Sequence, residues 1–113
     1  MKNIITFNHF LNESQLFKKE KSKISGTGNF AIDYIKKNTN LGIGLVKIDN
    51  TGSPDKDYKR YDICTFTNHS KTPNLYYKKD KNKYYFYALD NIKKGEELTI
   101  DYQNFDFDGE RNF

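Results

Sequence analysis

Apolar residues occur in short runs separated by polar turns, and this pattern predicts strands rather than long helices. Residues 41–48 form an apolar run that ends in a polar loop at residues 49–55. Farther along, residues 75–77 and 84–89 are rich in Tyr, Phe and Leu, and they flank the polar residues 80–83. Two such runs around a short polar turn are typical of a β-hairpin, so we expect one here.

Other segments predict further strands and turns. Residues 32–40 end one strand in an Asn-rich turn, and the Lys-Gly pair at 94–95 forms a turn before a strand expected at residues 97–102. Asn12 and Gln15 fit a capping box that would open a helix. Short strands, frequent turns and little helix together predict a mostly-β fold.

The composition indicates one small folded domain. The 113 residues are 35% hydrophobic, 16% aromatic and 30% charged. Low hydrophobic content with high charge would suit a disordered chain, but disordered segments are poor in aromatic residues. Because each aromatic side chain buries a large area, a core can close with few apolar positions. We therefore expect a core built on Phe and Tyr.

Charge, cysteine content and hydropathy exclude several classes of protein. The net charge is +4, but acidic residues lie between scattered Lys and Arg, which does not favour nucleic-acid binding as the primary role. Cys64 is the single cysteine, so no internal disulfide and no cysteine-based zinc site are expected. No apolar run is long enough to span a bilayer and no signal-peptide pattern is present, which favours a cytoplasmic protein without membrane contact.

Three short blocks contain the residues that suggest chemistry. Residues 25–31 hold two closely spaced glycines, residues 67–74 hold Asn-His-Ser and Pro-Asn, and residues 95–102 end in Asp-Tyr. Alone, a glycine pair is more often a tight turn than a ligand loop. His69 alone fits a structural histidine, a general base or a metal ligand, although no cluster of Cys, His or carboxylates supports a metal site.

In this order, the three blocks resemble the SET-domain protein lysine methyltransferases, and the resemblance extends over residues 15–102. It implies a SET-domain fold of small curled β-sheets, with a C-terminal segment threaded through a loop like a pseudoknot. It implies methyl transfer from S-adenosylmethionine (SAM) to a lysine amine of a protein or peptide substrate. It also favours a strand at residues 15–20 over a helix start.

The same resemblance implies roles for individual residues. Tyr102 would be catalytic, with its hydroxyl at the junction between the methyl donor and the lysine nitrogen. Backbone groups of Asn68 and His69 would hold the adenine, and the Asn68 side chain would address the methionine end of SAM. The implied cofactor-binding residues are Ser25, Gly26, Thr27, Gly28, Phe30, Asn68, His69 and Phe105. Transfer needs a neutral amine, and a desolvated channel beside a cation lowers the pKa of a lysine.

The chain departs from the family pattern in two places. Ile100 stands where relatives commonly carry a second tyrosine near the lysine channel, and we expect nearby tyrosines to take its place. The expected channel residues are Tyr58, Tyr61, Tyr102 and Phe107. Instead of a zinc-binding segment, the chain ends in an aromatic tail, in which Phe105 and Phe107 would cover the cofactor and the channel. The alternative for this tail is a frayed acidic end.

The sequence thus predicts an N-terminal extension at residues 1–14 and a SET-like catalytic domain at residues 15–113. The small size and the Lys- and Asn-rich composition favour a viral or bacterial source. The leading hypothesis is a SAM-dependent protein lysine N-methyltransferase. The alternatives are a catalytically inactive SET-like module that binds SAM or a lysine peptide, and a small basic nucleic-acid binder. The target, the number of methyl groups added and the oligomeric state are not determined by the sequence.

Overall fold

The computed structural model describes residues 16–104, 106–107 and 110–111, which form small sheets joined by turns. The strands are β1 (Phe17–Lys21), β2 (Thr27–Ala31), β3 (Asn40–Lys47), β4 (Tyr58–Arg60), β5 (Asn68–His69), β6 (Leu75–Asp80), β7 (Lys83–Ala88), β8 (Thr99–Ile100), β9 (Asp106–Phe107) and β10 (Glu110–Arg111). The helices are the one-turn segments α1 (Pro54–Asp57) and α2 (Asp62–Thr65), and a 3-10 turn covers Tyr102–Asn104. The predicted mostly-β class is confirmed.

The largest sheet has four antiparallel strands in the order β4-β3-β7-β6. Strands β6 and β7 form the predicted hairpin, which closes at the pair Asp80 and Lys83. Strands β1 and β2 form a second hairpin, in which Lys21 pairs with Thr27. The strand predicted for residues 15–20 is thus confirmed from Phe17 onward, whereas Leu16 is helical and residue 15 lies outside the described residues. The predicted N-terminal extension, residues 1–14, lies outside the described residues.

The Asn-rich turn between β2 and β3 also has the predicted character. Asn38 adopts a left-handed conformation with φ of 72°. Asn is one of the few residues other than glycine that tolerate this region, because its short polar side chain can bond locally. The turn therefore forms without a glycine at this position.

The core contains large aromatic residues, as the composition predicted. Tyr84 and Phe86, on strand β7, are fully buried. Tyr58 is also buried and packs edge-on against Tyr84, with ring centroids 6.1 Å apart. Aliphatic residues from the other elements, including Leu41, Leu98 and Ile100, complete the same cluster.

The predicted strand over residues 97–102 was wrong in length, because only Thr99–Ile100 forms a strand. The segment changes partners along its course. The Ala31 amide donates to Glu96 O and the Leu98 amide donates to Asn29 O, whereas β8 pairs in parallel with β5. Neither β2 nor β5 extends far enough to pair with the whole segment. Residues 96–100 thus contact both β2 and β5, and the knot-like threading that the family resemblance implies stays a prediction.

Gly44 tests how tightly the core is packed. A Cβ added at this position would lie 2.5 Å from Cε1 of the Phe86 ring. We expect Gly44→Ala to lower the free energy of unfolding by about 1–3 kcal/mol, because overpacked cores force neighbouring groups to shift. Urea denaturation of Gly44→Ala, Phe86→Leu and the double variant measures this. The double variant should be more stable than the sum of the single effects predicts; strict additivity would show that the two groups do not collide.

Candidate active site

The three sequence blocks meet around the side-chain amide of Asn68. Its Nδ2 atom lies 3.1 Å from the carbonyl oxygen of Ser25, 3.0 Å from Oγ of Ser22 and 2.8 Å from Oε2 of Glu97. One residue of each block is therefore joined at a single group, which donates only two hydrogens. The amide nitrogen is committed to protein partners, so the Asn68 side chain holds the glycine loop in place.

Glu97 completes this cluster from the C-terminal block. Its carboxylate accepts a hydrogen bond from the Ser22 hydroxyl at 2.8–2.9 Å as well as from Asn68. The carboxylate approaches β2 so closely that a Cβ on Gly28 would overlap Oε2. A side chain at the second glycine of the pair would therefore displace the Glu97 carboxylate from its place in this cluster.

Asn74 fixes the same C-terminal segment from its other side. Its amide Nδ2 donates to Glu97 O at 2.9 Å, and its Oδ1 accepts from the Thr99 amide at 2.8 Å. This side chain replaces the backbone bonds that a longer strand would have supplied. Asn74 therefore ties the loop after β5 to residues 97–99 through backbone groups.

The His69 side chain contacts Tyr102. The Tyr102 amide donates to His69 Nδ1 at 3.1 Å, and the two rings are stacked with centroids 5.9 Å apart. The Asp101 carboxylate oxygen Oδ1 lies 3.7 Å from the same nitrogen. Among the alternatives for His69, the structure shows a side chain that orients the tyrosine.

The Tyr102 hydroxyl lies against two backbone carbonyls of the segment that precedes Asn68. It donates to Thr67 O and lies 3.3 Å from Cys64 O. Burial raises the pKa of this hydroxyl to about 12, and the nearby Cys64 adds to the effect while Arg60 opposes it. Three oxygen atoms therefore converge at a half-buried position, and the tyrosine is neutral at physiological pH.

The other predicted channel tyrosines are placed differently. Tyr58 belongs to the core beside Tyr84 and is almost completely buried. Tyr61 is partly exposed and lines an open cavity of about 800 Å³. The apolar lining of that cavity includes Phe17, Leu41, Ile43 and Ile63, and Lys18, Lys19 and Arg60 add positive charge. The channel assigned to Tyr58 and Tyr61 stays a prediction.

The remaining cofactor residues lie on or beside the β1-β2 hairpin. Gly26 adopts φ of +46° and has open space where a Cβ would stand, so the loop tip is exposed. Thr27 begins β2, and Phe30 pairs with Lys18 and bridges to Glu97. Phe105 lies outside the described residues, and for Phe107 the structure describes only its place in β9. Their proposed contacts with the cofactor and the channel stay predictions.

Sequence reasoning did not identify Ser22, Asn29, Thr67 or Glu97 as site residues. Asn29 is completely buried, and its Nδ2 lies 3.0 Å from both Asp62 O and Thr67 Oγ1. A polar residue between Gly28 and Phe30 was the available signal, because a buried strand position normally holds an apolar side chain. The signal was missed because the two residues that flank Asn29 do not show which face of the strand is buried.

Comparison with known proteins identifies a family. The model of the SET domain family matches residues 3–103, most of the chain. The match begins within the segment that the sequence analysis separated as an extension, and the division at residue 15 stays a prediction.

Two individual proteins are similar to the chain. A candidate SET domain-containing protein of Acanthamoeba polyphaga mimivirus is 54% identical over 35 residues, which are 31% of this chain and 14% of the viral protein. The matched segment is thus a small part of that relative's length. A crystal structure of a Plasmodium falciparum protein named as a candidate histone methyltransferase has a TM-score of 0.63 and 27% identity, covering 80% of this chain and 96% of that chain.

Neither a membrane-spanning helix nor a metal-binding cluster occurs among the described residues. Within residues 16–104, 106–107 and 110–111, no helix is long and apolar enough to cross a membrane. The same residues contain no group of three His, Cys, Asp or Glu side chains that could hold a metal ion.

The Glu97 cluster can be tested by changing one atom. Glu97→Gln places an NH₂ group among the donors Ser22 Oγ and Asn68 Nδ2, so one acceptor is lost where two donors converge. We expect the free energy of unfolding to fall by about 1–3 kcal/mol in urea titrations. The neighbouring change Glu96→Gln is the control, because Glu96 is exposed and its oxygen contact with the Lys93 amide survives as an amide oxygen. Equal effects of the two changes would contradict the cluster's role.

The buried thiol predicts loss of stability at high pH. Burial raises the pKa of Cys64 from 9.0 to about 11, while Arg60 lowers it. A raised pKa means that the folded state retains the proton where the unfolded state loses it, so this stabilisation is complete below pH 9 and declines up to about pH 11. Cys64→Ala should therefore show a shallower loss of unfolding free energy between these pH values. Parallel curves for the two proteins would refute the assignment.

Proposed function

The chain belongs to the SET domain family, and we propose that it is a protein lysine N-methyltransferase that uses SAM as its methyl donor. Family membership and the similarity to a candidate histone methyltransferase support the class of reaction. The dependence on SAM, the catalytic activity and the roles of individual residues are the proposal. The catalytic unit is residues 15–113, and its substrate is a lysine of a protein or peptide.

The observation that supports this proposal most directly is the convergence of oxygen atoms at Tyr102. The hydroxyl and the carbonyls of Thr67 and Cys64 form an electron-rich point beside the Asn68–His69 strand. Such a point fits a positively charged sulfonium and the methyl group attached to it, because partial negative charges stabilise a nearby cation. The three oxygen atoms of the site therefore suit the positively charged sulfur of SAM.

The glycine loop and the Asn68–His69 strand would hold the cofactor. The exposed tip at Gly26 leaves space beside the backbone, and the Asn68 amide fixes the loop through Ser25 O. When bound, SAM supplies an activated methyl group for direct displacement by a nitrogen. The chain's own part is to hold the loop, the strand and Tyr102 in fixed relation, which lowers the entropic cost of alignment.

Tyr102 acts through its neutral hydroxyl and not as a general base. With a pKa of about 12, only about one molecule in 10⁴ carries a tyrosinate at pH 8. The hydroxyl hydrogen is directed to Thr67 O, so the hydroxyl would meet an amine N–H with its oxygen as the acceptor. Tyr102 would thus orient the lysine nitrogen, and the lysine ammonium gives its proton to solvent water before transfer.

The alternative, an inactive SET-like module, rested on Ile100 in place of a tyrosine. Ile100 is 2% exposed and belongs to the core, where it pairs with His69. The departure from the family pattern at Ile100 therefore affects side-chain packing in the core. The structure gives the inactive alternative no further support.

Tyr102→Phe tests the proposal. Removing one preorganised hydrogen-bonding group from a reaction centre typically costs about 10²–10³ in turnover, and we expect a loss of that size with SAM affinity changed less than about threefold. The measurement is transfer of labelled methyl from SAM to lysine in peptides and protein pools, with SAM binding by calorimetry. Tyr76→Phe is the matched control, because it removes a tyrosine hydroxyl that bonds to Asn38, outside the candidate site.

Each unfavourable result has a separate meaning. SAM binding without label in any lysine would favour the inactive module. Absence of SAM binding would contradict the cofactor assignment. Full activity of Tyr102→Phe would remove this tyrosine from the reaction centre.

A further inference from the structure

Asn29 stands out because it is a fully buried amide in a strand that lines the core. It has 0% exposure and follows Gly28 in β2. Its Nδ2 donates to Asp62 O and to Thr67 Oγ1, each at 3.0 Å. These two partners are the first residue of α2 and the residue just before β5, so a single side chain spans both ends of the segment 62–67.

The segment bracketed by Asn29 contains the carbonyls that contact Tyr102. Cys64 O lies within the bracket, and Thr67 O belongs to the residue whose side chain Asn29 holds. Thr67 is therefore fixed at both its side chain and its carbonyl. A rotation of this residue would move the oxygen that accepts the Tyr102 hydroxyl bond.

Stability alone does not account for a buried amide at this position. Asn29 Oδ1 is buried and has no hydrogen-bond partner among the described residues. A buried polar atom without a partner costs about 1–3 kcal/mol, and replacing both members of a buried polar pair with apolar groups of similar shape is often neutral or stabilising. Two apolar side chains at positions 29 and 67 would fill the core without leaving a buried polar atom unpaired. Asp62 O would keep a partner in either case, because the Phe66 amide also donates to it.

We propose that Asn29 and Thr67 form a positioning pair, which holds the carbonyls of Cys64 and Thr67 in register with the Tyr102 hydroxyl. Its catalytic consequence rests on the proposed methyl transfer, whereas its effect on the tyrosine does not. Neither residue contacts the reacting atoms in this scheme. They act through the acceptors of Tyr102.

The double variant Asn29→Leu/Thr67→Val removes the polar pair and keeps the number of side-chain heavy atoms at both positions. We expect its free energy of unfolding to equal or exceed that of the wild type. We expect kcat for methyl transfer to fall at least about tenfold, with KM for peptide and Kd for SAM within about twofold, because small misplacements in a reaction centre reduce turnover. Thr51→Val is the control, because it removes a hydroxyl bond to buried Asp57 away from the site and should lower stability without changing kcat.

A second measurement needs no enzymatic activity. In protein labelled with ¹³Cζ-tyrosine, the Tyr102 resonance is identified by its absence from Tyr102→Phe, and its chemical shift is followed as pH rises. We expect ionisation of Tyr102 to begin at lower pH in the double variant, since loss of ordered carbonyl acceptors removes interactions that favour the protonated hydroxyl.

The outcomes separate the two proposals. If the wild type transfers no methyl group, the proposed function fails, and the Tyr102 titration still tests the pair. An unchanged titration together with unchanged kcat would overturn the positioning pair. A loss of kcat that follows a loss of stability, with an unchanged titration, would also overturn it and leave Asn29 and Thr67 as structural residues.

Discussion

The placement of Tyr102 depends on a parallel pairing that is only two residues long, between Asn68–His69 and Thr99–Ile100. Parallel ladders are slightly weaker per residue than antiparallel ones, and two isolated pairs do not hold strands together in water. The structure compensates with side chains that bond to backbone on both sides of the pairing. Asn74 fixes residues 97–99, and the His69 ring receives the Tyr102 amide.

Glu97 connects this arrangement to the N-terminal hairpin of β1 and β2. Its carboxylate accepts from Ser22 and Asn68, and its backbone bridges to Phe30 in β2. The loop proposed to hold the cofactor and the tyrosine proposed to act on the substrate are thus connected through one carboxylate. Gly28 is part of the same constraint, because any larger residue would collide with Glu97.

Much of the architecture was predictable because its signals are local. The β6-β7 hairpin, the Asn38 turn and the order of the three blocks could be read from residues close together in sequence. The limits of β8 could not, because the segment 96–100 divides its bonds between β2 and β5. Tyr58 shows the same limit: its channel role stays a prediction, and its packing on Tyr84, 26 positions along the chain from 58 to 84, could not be read from local sequence. Asn29 was missed because its role depends on Asp62 and Thr67, which local patterns do not connect to it.

The distance in sequence between the site's partners determines when the site can form during folding. The hairpin of β6 and β7 closes a short loop, whereas the pairing of β3 with β7 spans 37 to 47 positions, from Val46↔Lys83 to Asn40↔Tyr87. The bonds from Tyr102 to Thr67 and from Ser22 to Glu97 span 35 and 75 positions, and closure of longer loops costs more entropy. The local hairpins can therefore form first, and the reaction centre appears only when residues 96–102 dock against both β2 and β5. A partly folded chain would possess the scaffold but none of the geometry needed for chemistry.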